Sequence, residues 1–176
     1  MPAIGGGREE CPHGLGYDLK GLSTMDNREY IIKHRHEDVR RLALGRAEQG
    51  VDIPFCLRQI EAWQKACTKL PRWAETDDIL FPPRINMEQC SSQATAEYKR
   101  DLILRLLPEH RSSMADLTGG FGVDFSFLSP LFEKAVYVER DADLCQIASH
   151  NMPLLGASHA QVICADAEHF LEDASQ

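Results

Sequence analysis

The sequence predicts an α/β chain in two unequal parts: an all-helical stretch over residues 26–110, then a βαβαβ half of a parallel sheet over 111–176. Three observations lead there. Apolar residues before Pro108 recur at helical spacing, residues after Arg111 alternate between strand and helix patterns, and each predicted strand ends at or beside a carboxylate.

Hydrophobic residues make up 43% of the 176, enough to build a core. The net charge of −8 is uneven: residues 26–110 hold 14 basic and 14 acidic side chains, residues 111–176 hold 3 and 10. Contact with nucleic acid needs a cationic surface that displaces counterions, and only the helical stretch can supply one. The six cysteines form no Cys-x-x-Cys pair, which predicts a reduced, cytoplasmic setting. No apolar run of about 18 residues offers a membrane span, so no membrane partner is expected.

Residues 1–25, with Gly5-Gly6-Gly7 and no periodic pattern, read as a flexible tail, and Met25 before Asp26-x-x-Glu29 is an alternative start. Tyr30, Ile31, Val39, Leu42, Ala43 and Leu44 predict one or two amphipathic helices ended by Gly50. Asp52 caps the next helix, which carries Phe55, Leu57, Ile60, Trp63 and Ala66 on its apolar face and stops at Pro71. Residues 71–90, with Pro71, Pro82 and Pro83, read as an irregular connector with an extended piece at Ile79–Phe81. Ser91 or Ser92 then caps a helix to Leu107, where Tyr98, Leu102 and Leu106 recur at fourfold spacing before Pro108. Beyond it the pattern gives strands at Ser113–Leu117, Ala135–Glu139 and Gln161–Ala165, with helices at Gly122–Phe132 and Asp141–Leu155.

The first strand runs into Asp116-Leu117-Thr118-Gly119-Gly120-Phe121-Gly122-Val123-Asp124, a glycine turn that lets backbone approach a charged small ligand. A dinucleotide fingerprint requires a third glycine where Phe125 stands, which counts against a nucleotide-dependent oxidoreductase. Asp116 instead suits a ligand bearing an ammonium group. Glu139 ends the second strand 23 residues later and can accept ribose hydroxyls. Asp166, after the third strand, can accept an adenine amine or cap the helix starting at Ala167; both roles can coexist.

Other constellations carry less. His34 and His36 lie two apart on a helix with no third ligand, so no metal site is predicted. Lys33, Arg35, Arg40, Arg41 and Arg46 could meet RNA phosphates, or form a solvated face balanced by Glu37, Asp38 and Glu48. Trp63 and Trp73 fit packing between helix and connector better than base stacking.

The Asp116–Asp124 turn, Glu139-Arg140 and Asp166 together resemble the first three motifs of class I S-adenosylmethionine (SAM) dependent methyltransferases, a Rossmann-like fold. The turn and strand end are similar to bacterial ribosomal-RNA guanine methyltransferases, and more so to bacterial methyltransferases called THUMP-like. With the latter the chain also shares Lys69–Trp73, Glu88–Ser92 and Tyr98-Lys99, extending the resemblance back to about residue 28. The resemblance implies SAM as cofactor, bound by Asp116, Thr118, Gly119, Gly120, Phe121, Gly122, Asp124, Glu139, Arg140, Asp166 and Ala167, and by analogy an RNA substrate. The fourth, catalytic motif of that family has no counterpart before Gln176. The expectation is therefore a fragment with no catalytic residue of its own, whose first strand is an open edge able to self-associate. A non-catalytic SAM-binding remnant or interaction module is the alternative.

Overall fold

The computed structural model describes residues 25–46, 48–109 and 111–174. All of the expected tail except Met25 lies outside the described residues.

Helices α1 (Met25–His34) and α2 (Val39–Ala43) open the chain, α2 capped by the Asp38 carboxylate, which accepts from the Arg41 amide at 3.0 Å. Helix α3 (Ile53–Lys69) starts as expected: Asp52 accepts from the Phe55 amide at 3.0 Å, and Pro54 sits in the first turn, where no amide hydrogen is needed. It buries Phe55, Cys56, Ile60 and Ala66.

The stretch 71–90 is more regular than its prolines suggest. It contains α4 (Pro71–Glu75) and α5 (Arg84–Gln89), with Pro71 at the first turn of one and Pro83 preceding the other. Prolines there start helices rather than break them, because the missing donor would have no partner. Between the two helices Ile79, Leu80 and Phe81 are buried outside any helix or strand. Two buried side-chain amides take a neighbouring strand's place. Asn151 accepts from the Leu80 amide at 2.9 Å and donates to its carbonyl at 2.8 Å, while Gln59 does the same for Phe81, at 2.9 Å both ways.

Helix α6 (Gln93–Leu106) begins at Ser92, whose hydroxyl accepts from the Thr95 amide at 3.2 Å. Its fourfold apolar row lies largely outward, with Tyr98 61% and Leu106 65% exposed and Leu102 between them half-buried. The face toward the body carries Ala96 and Lys99, because Lys99 pairs with Asp124 of α7 (Val123–Leu128). The α/β part follows: β1 (Ser113–Asp116), α7, a 3-10 turn over Ser129–Leu131, β2 (Lys134–Glu139), α8 (Ala142–Leu154), β3 (Ala160–Cys164) and α9 (Ala167–Ala174). The single helix expected over 122–132 changes to the tighter turn at Ser129, since Pro130 has no hydrogen to donate back to Ser126.

The strands are parallel in the order β1-β2-β3, with Asp116 opposite Tyr137 and Glu139 opposite Cys164. All three therefore end at one edge of the sheet, and among the described residues β1 pairs with β2 alone. The helical and α/β parts share buried side chains: Trp73 packs against Phe121 in a tilted contact with ring centroids 4.5 Å apart and donates its indole hydrogen to the Ser126 hydroxyl at 3.3 Å. Trp63 fills the packing role expected of it, donating to the Ala74 carbonyl at 2.9 Å. No helix among the described residues is long and apolar enough to cross a membrane.

Replacing Asn151 with alanine strands the amide and carbonyl of buried Leu80 together. Urea unfolding of N151A is expected to show a loss of about 2–3 kcal/mol with an unchanged slope.

Candidate functional site

The turn after β1 is shaped by what lies beneath it. Tyr137 projects from β2 under the glycines, and its hydroxyl donates to the Gly120 carbonyl. A Cβ on Gly119 would fall 2.1 Å from the Tyr137 ring, and one on Gly122 2.5 Å from the Met152 terminal methyl. Gly122 is also left-handed, at φ +83°, as the chain swings into α7. Only glycine lets the turn lie this close to the sheet.

Glu139 binds the turn to the end of β2. One carboxylate oxygen accepts from the Gly120 amide at 2.8 Å, the other from the amides of Arg140 and Asp141 at 2.9 and 3.0 Å. Asp116 folds back on the turn and accepts from the Thr118 amide at 3.1 Å. Its carboxyl is held above the usual carboxylate range, chiefly by burial and further by the charges of Asp124 and Glu139, against the Thr118 hydrogen bond and Lys99. Burial also raises the Tyr137 hydroxyl, which stays a neutral donor.

A cavity of about 270 Å³ opens over this turn. Asp116, Thr118, the backbone from Gly119 to Gly122, and Asp124 line one side. Phe121 sends its side chain into the core against Trp73 and Phe81, so its share of the cavity wall is backbone. The opposite wall is Asn86, Gln89, Cys90 and Ser91, from α5 and the link to α6. Ser91 donates to Asp124 at 2.8 Å and Lys99 meets the same oxygen at 2.6 Å. The other Asp124 oxygen is buried with no partner. This second wall is not among the expected cofactor-binding residues, although Gln89, Cys90 and Ser91 fall within the Glu88–Ser92 segment that carries part of the resemblance.

The remaining predicted residues sit at the same sheet edge without lining the cavity. Asp166 caps α9 through the Glu168 amide at 2.8 Å, Ala167 opens that helix half-buried, and Arg140 is exposed. Phe125, where a dinucleotide fingerprint has glycine, is fully buried edge-on against Tyr137 with centroids 5.5 Å apart. It leaves no close helix-to-strand approach of the kind a third glycine provides. Among the described residues no cluster of three or more His, Cys, Asp or Glu side chains could hold a metal; His34 instead meets Glu37 at 2.7 Å.

The cavity's chemistry suits a small cation-bearing ligand. Its acidic lining residues are Asp116 and Asp124 with no basic residue beside them, one Asp124 oxygen lacks a partner, and a Cβ at Gly120 would meet nothing closer than the Thr118 carbonyl at 3.8 Å, leaving open space over the turn.

No family model matches the sequence. No curated protein matches it either. Among solved structures, the chain is similar to the crystal structure of a protein from Porphyromonas gingivalis W83 assigned as a methyltransferase, with a TM-score of 0.70 and 27% identity. The fold is a partial Rossmann-like methyltransferase fold. The match covers 88% of this chain, so it takes in helical residues as well as the sheet, and 37% of the other chain.

Burial of Asp116 has a cost that can be measured. Its raised carboxyl binds a proton more readily folded than unfolded, so stability is lost as pH rises through the carboxylate range and stays lost at neutral pH. Thermal melts are expected to show Asp116→Asn above the parent at neutral pH, with the difference vanishing in acid, where the aspartate is protonated in both states.

Proposed function

We propose that this chain carries the cofactor-binding part of a SAM-dependent methyltransferase acting on RNA. One observation carries the cofactor assignment: Asp116 and Glu139 close neighbouring parallel strands beside a single glycine turn, and the cavity above it is acidic. SAM, when bound, supplies a methyl group on a sulfonium that a nucleophile can attack. The chain's own groups bind and orient. Asp116 faces the positive amino-acid end, and the partly excluded water around it strengthens that attraction. Glu139 already accepts three hydrogen bonds out of roughly four lone-pair sites, so it takes one ribose hydroxyl while keeping the turn in place. Asp166, beyond the third strand, accepts the adenine amine while its other oxygen caps α9.

Calorimetric titration tests this. SAM and S-adenosylhomocysteine are expected to bind, and Glu139→Gln to weaken both by about tenfold or more, since a charge-assisted bond is lost and an amide is turned against Gly120. Stabilisation by NADH with no response to either adenosyl compound would favour an oxidoreductase and overturn the proposal.

The RNA part rests on the family resemblance and on one surface: Lys33, Arg40, Arg41 and Arg46 are exposed along α1, α2 and the following loop, while Arg35 lies over the Trp63 ring at 4.8 Å. Reversing Arg40 and Arg41 to glutamate is expected to lower affinity for a single-stranded RNA and to flatten its dependence on salt. An unchanged salt slope would remove this surface from consideration.

A further inference from the structure

A second cavity, of about 370 Å³, opens between α1, α3 and residues 76–81 and takes no part in the cofactor chemistry above. Its wall is mostly apolar, from Ile31, Phe55, Ile79 and Phe81. An apolar slot with a few polar groups around it is the usual form of a site for a small ring-shaped group. Of the charged groups that line it, Arg28 pairs with Asp78 at 2.5 Å, while among the described residues Arg35 has no carboxylate partner and Asp77 no cationic one. Two arginines and two aspartates leave the cavity without net charge to draw an anion inside. Its occupant is therefore uncharged.

Arg35 is held in position from two sides. Gln64 of α3 donates to the Arg35 carbonyl at 2.9 Å and to the Glu37 carbonyl at 2.7 Å, which fixes the link between α1 and α2. The guanidinium lies 4.8 Å from the centre of the Trp63 ring, and Trp63 is itself tied to the Ala74 carbonyl. A planar cation backed by an aromatic ring is a surface on which a further flat ring stacks. Outside the cavity the charge changes character: Lys33, two residues before Arg35, and Arg40 and Arg41 of α2 are all exposed. Cations of that kind hold phosphates without regard to sequence. A neutral slot beside a cationic face matches a nucleotide strand, in which flat uncharged bases hang from a charged backbone.

Resting on the RNA reading above, we propose that this cavity receives one base of an unpaired RNA strand, stacked on Arg35, while Lys33, Arg40 and Arg41 meet the neighbouring phosphates. Trp63 supports the stack and does not form it. The base held here anchors the strand and is not the methyl acceptor: Phe81 lines this cavity and its ring meets that of Phe121 in the glycine turn, with centroids 6.3 Å apart, so two aromatic rings stand between the slot and the cofactor cavity. The helical part thus binds single strands in preference to duplex, whose bases are stacked on one another and cannot enter.

Fluorescence anisotropy on the full chain tests this with two labelled strands: a single-stranded oligoribonucleotide, and one of equal length and phosphate count whose central sugars carry no base. The abasic strand is expected to bind about ten- to hundredfold more weakly, the value of one stacked base. Arg35→Met should weaken the intact strand by a similar factor and the abasic strand far less, whereas the reversals at Arg40 and Arg41 should weaken both. Equal binding of the two strands by the parent would show contact with phosphates alone and overturn the proposal. Equal weakening of both by Arg35→Met, or a free mononucleotide that binds as tightly as the intact strand, would also overturn it. A parent chain that binds neither strand would instead overturn the RNA reading, and this inference with it.

Discussion

Glu139 stands at the junction of everything the candidate site contains. Its carboxylate gathers three backbone amides, one from the glycine turn and two from the chain leaving β2, so a single charged group fixes the distance between the first and second strand ends. Amides bonded to a carboxylate are held more firmly than amides bonded to water, and a turn built of glycines has little stiffness of its own. The Tyr137 ring beneath and the Gly120 carbonyl held by its hydroxyl complete the support. The flat, close turn is thus a consequence of β2.

Stability and binding pull against each other at this edge. Asp116 is half-buried, and Asp124 and Glu139 both act against its charge, so the folded chain holds a charge it would be more stable without. Lys99 offsets part of this by pairing with Asp124. A carboxyl raised by burial in a cleft, as Asp116 is, is one physical mark of a functional site.

The helical part is bound to the sheet by more than contact between apolar faces. Asn151 of α8 completes the backbone bonding of Leu80, Arg72 donates to the Leu155 carbonyl at 2.7 Å, and Trp73 reaches Ser126 and Phe121 beside the turn. These bonds seat α5 and the start of α6 opposite the glycines, so the cavity has two walls from distant stretches of chain.

The sequence by itself determined whatever depends on near neighbours: the helix starts at Asp52 and Ser92, the alternation of strand and helix after Arg111, and the turn from Asp116 to Asp124 with carboxylates at the strand ends. Capping, periodicity and glycine conformation act over a few residues and can be read from them. The short helices α4 and α5 were hidden because a proline looks alike whether it starts a helix or interrupts one, and the outward turn of Tyr98 and Leu106 because periodicity marks a stripe without saying which face is covered. Only the tertiary structure decided that Gln59 and Asn151 stand in for a missing strand, and that Ser91 and Lys99 meet Asp124 across 33 and 25 residues of chain. Such pairings depend on where packing brings the backbone, and no local pattern encodes that distance.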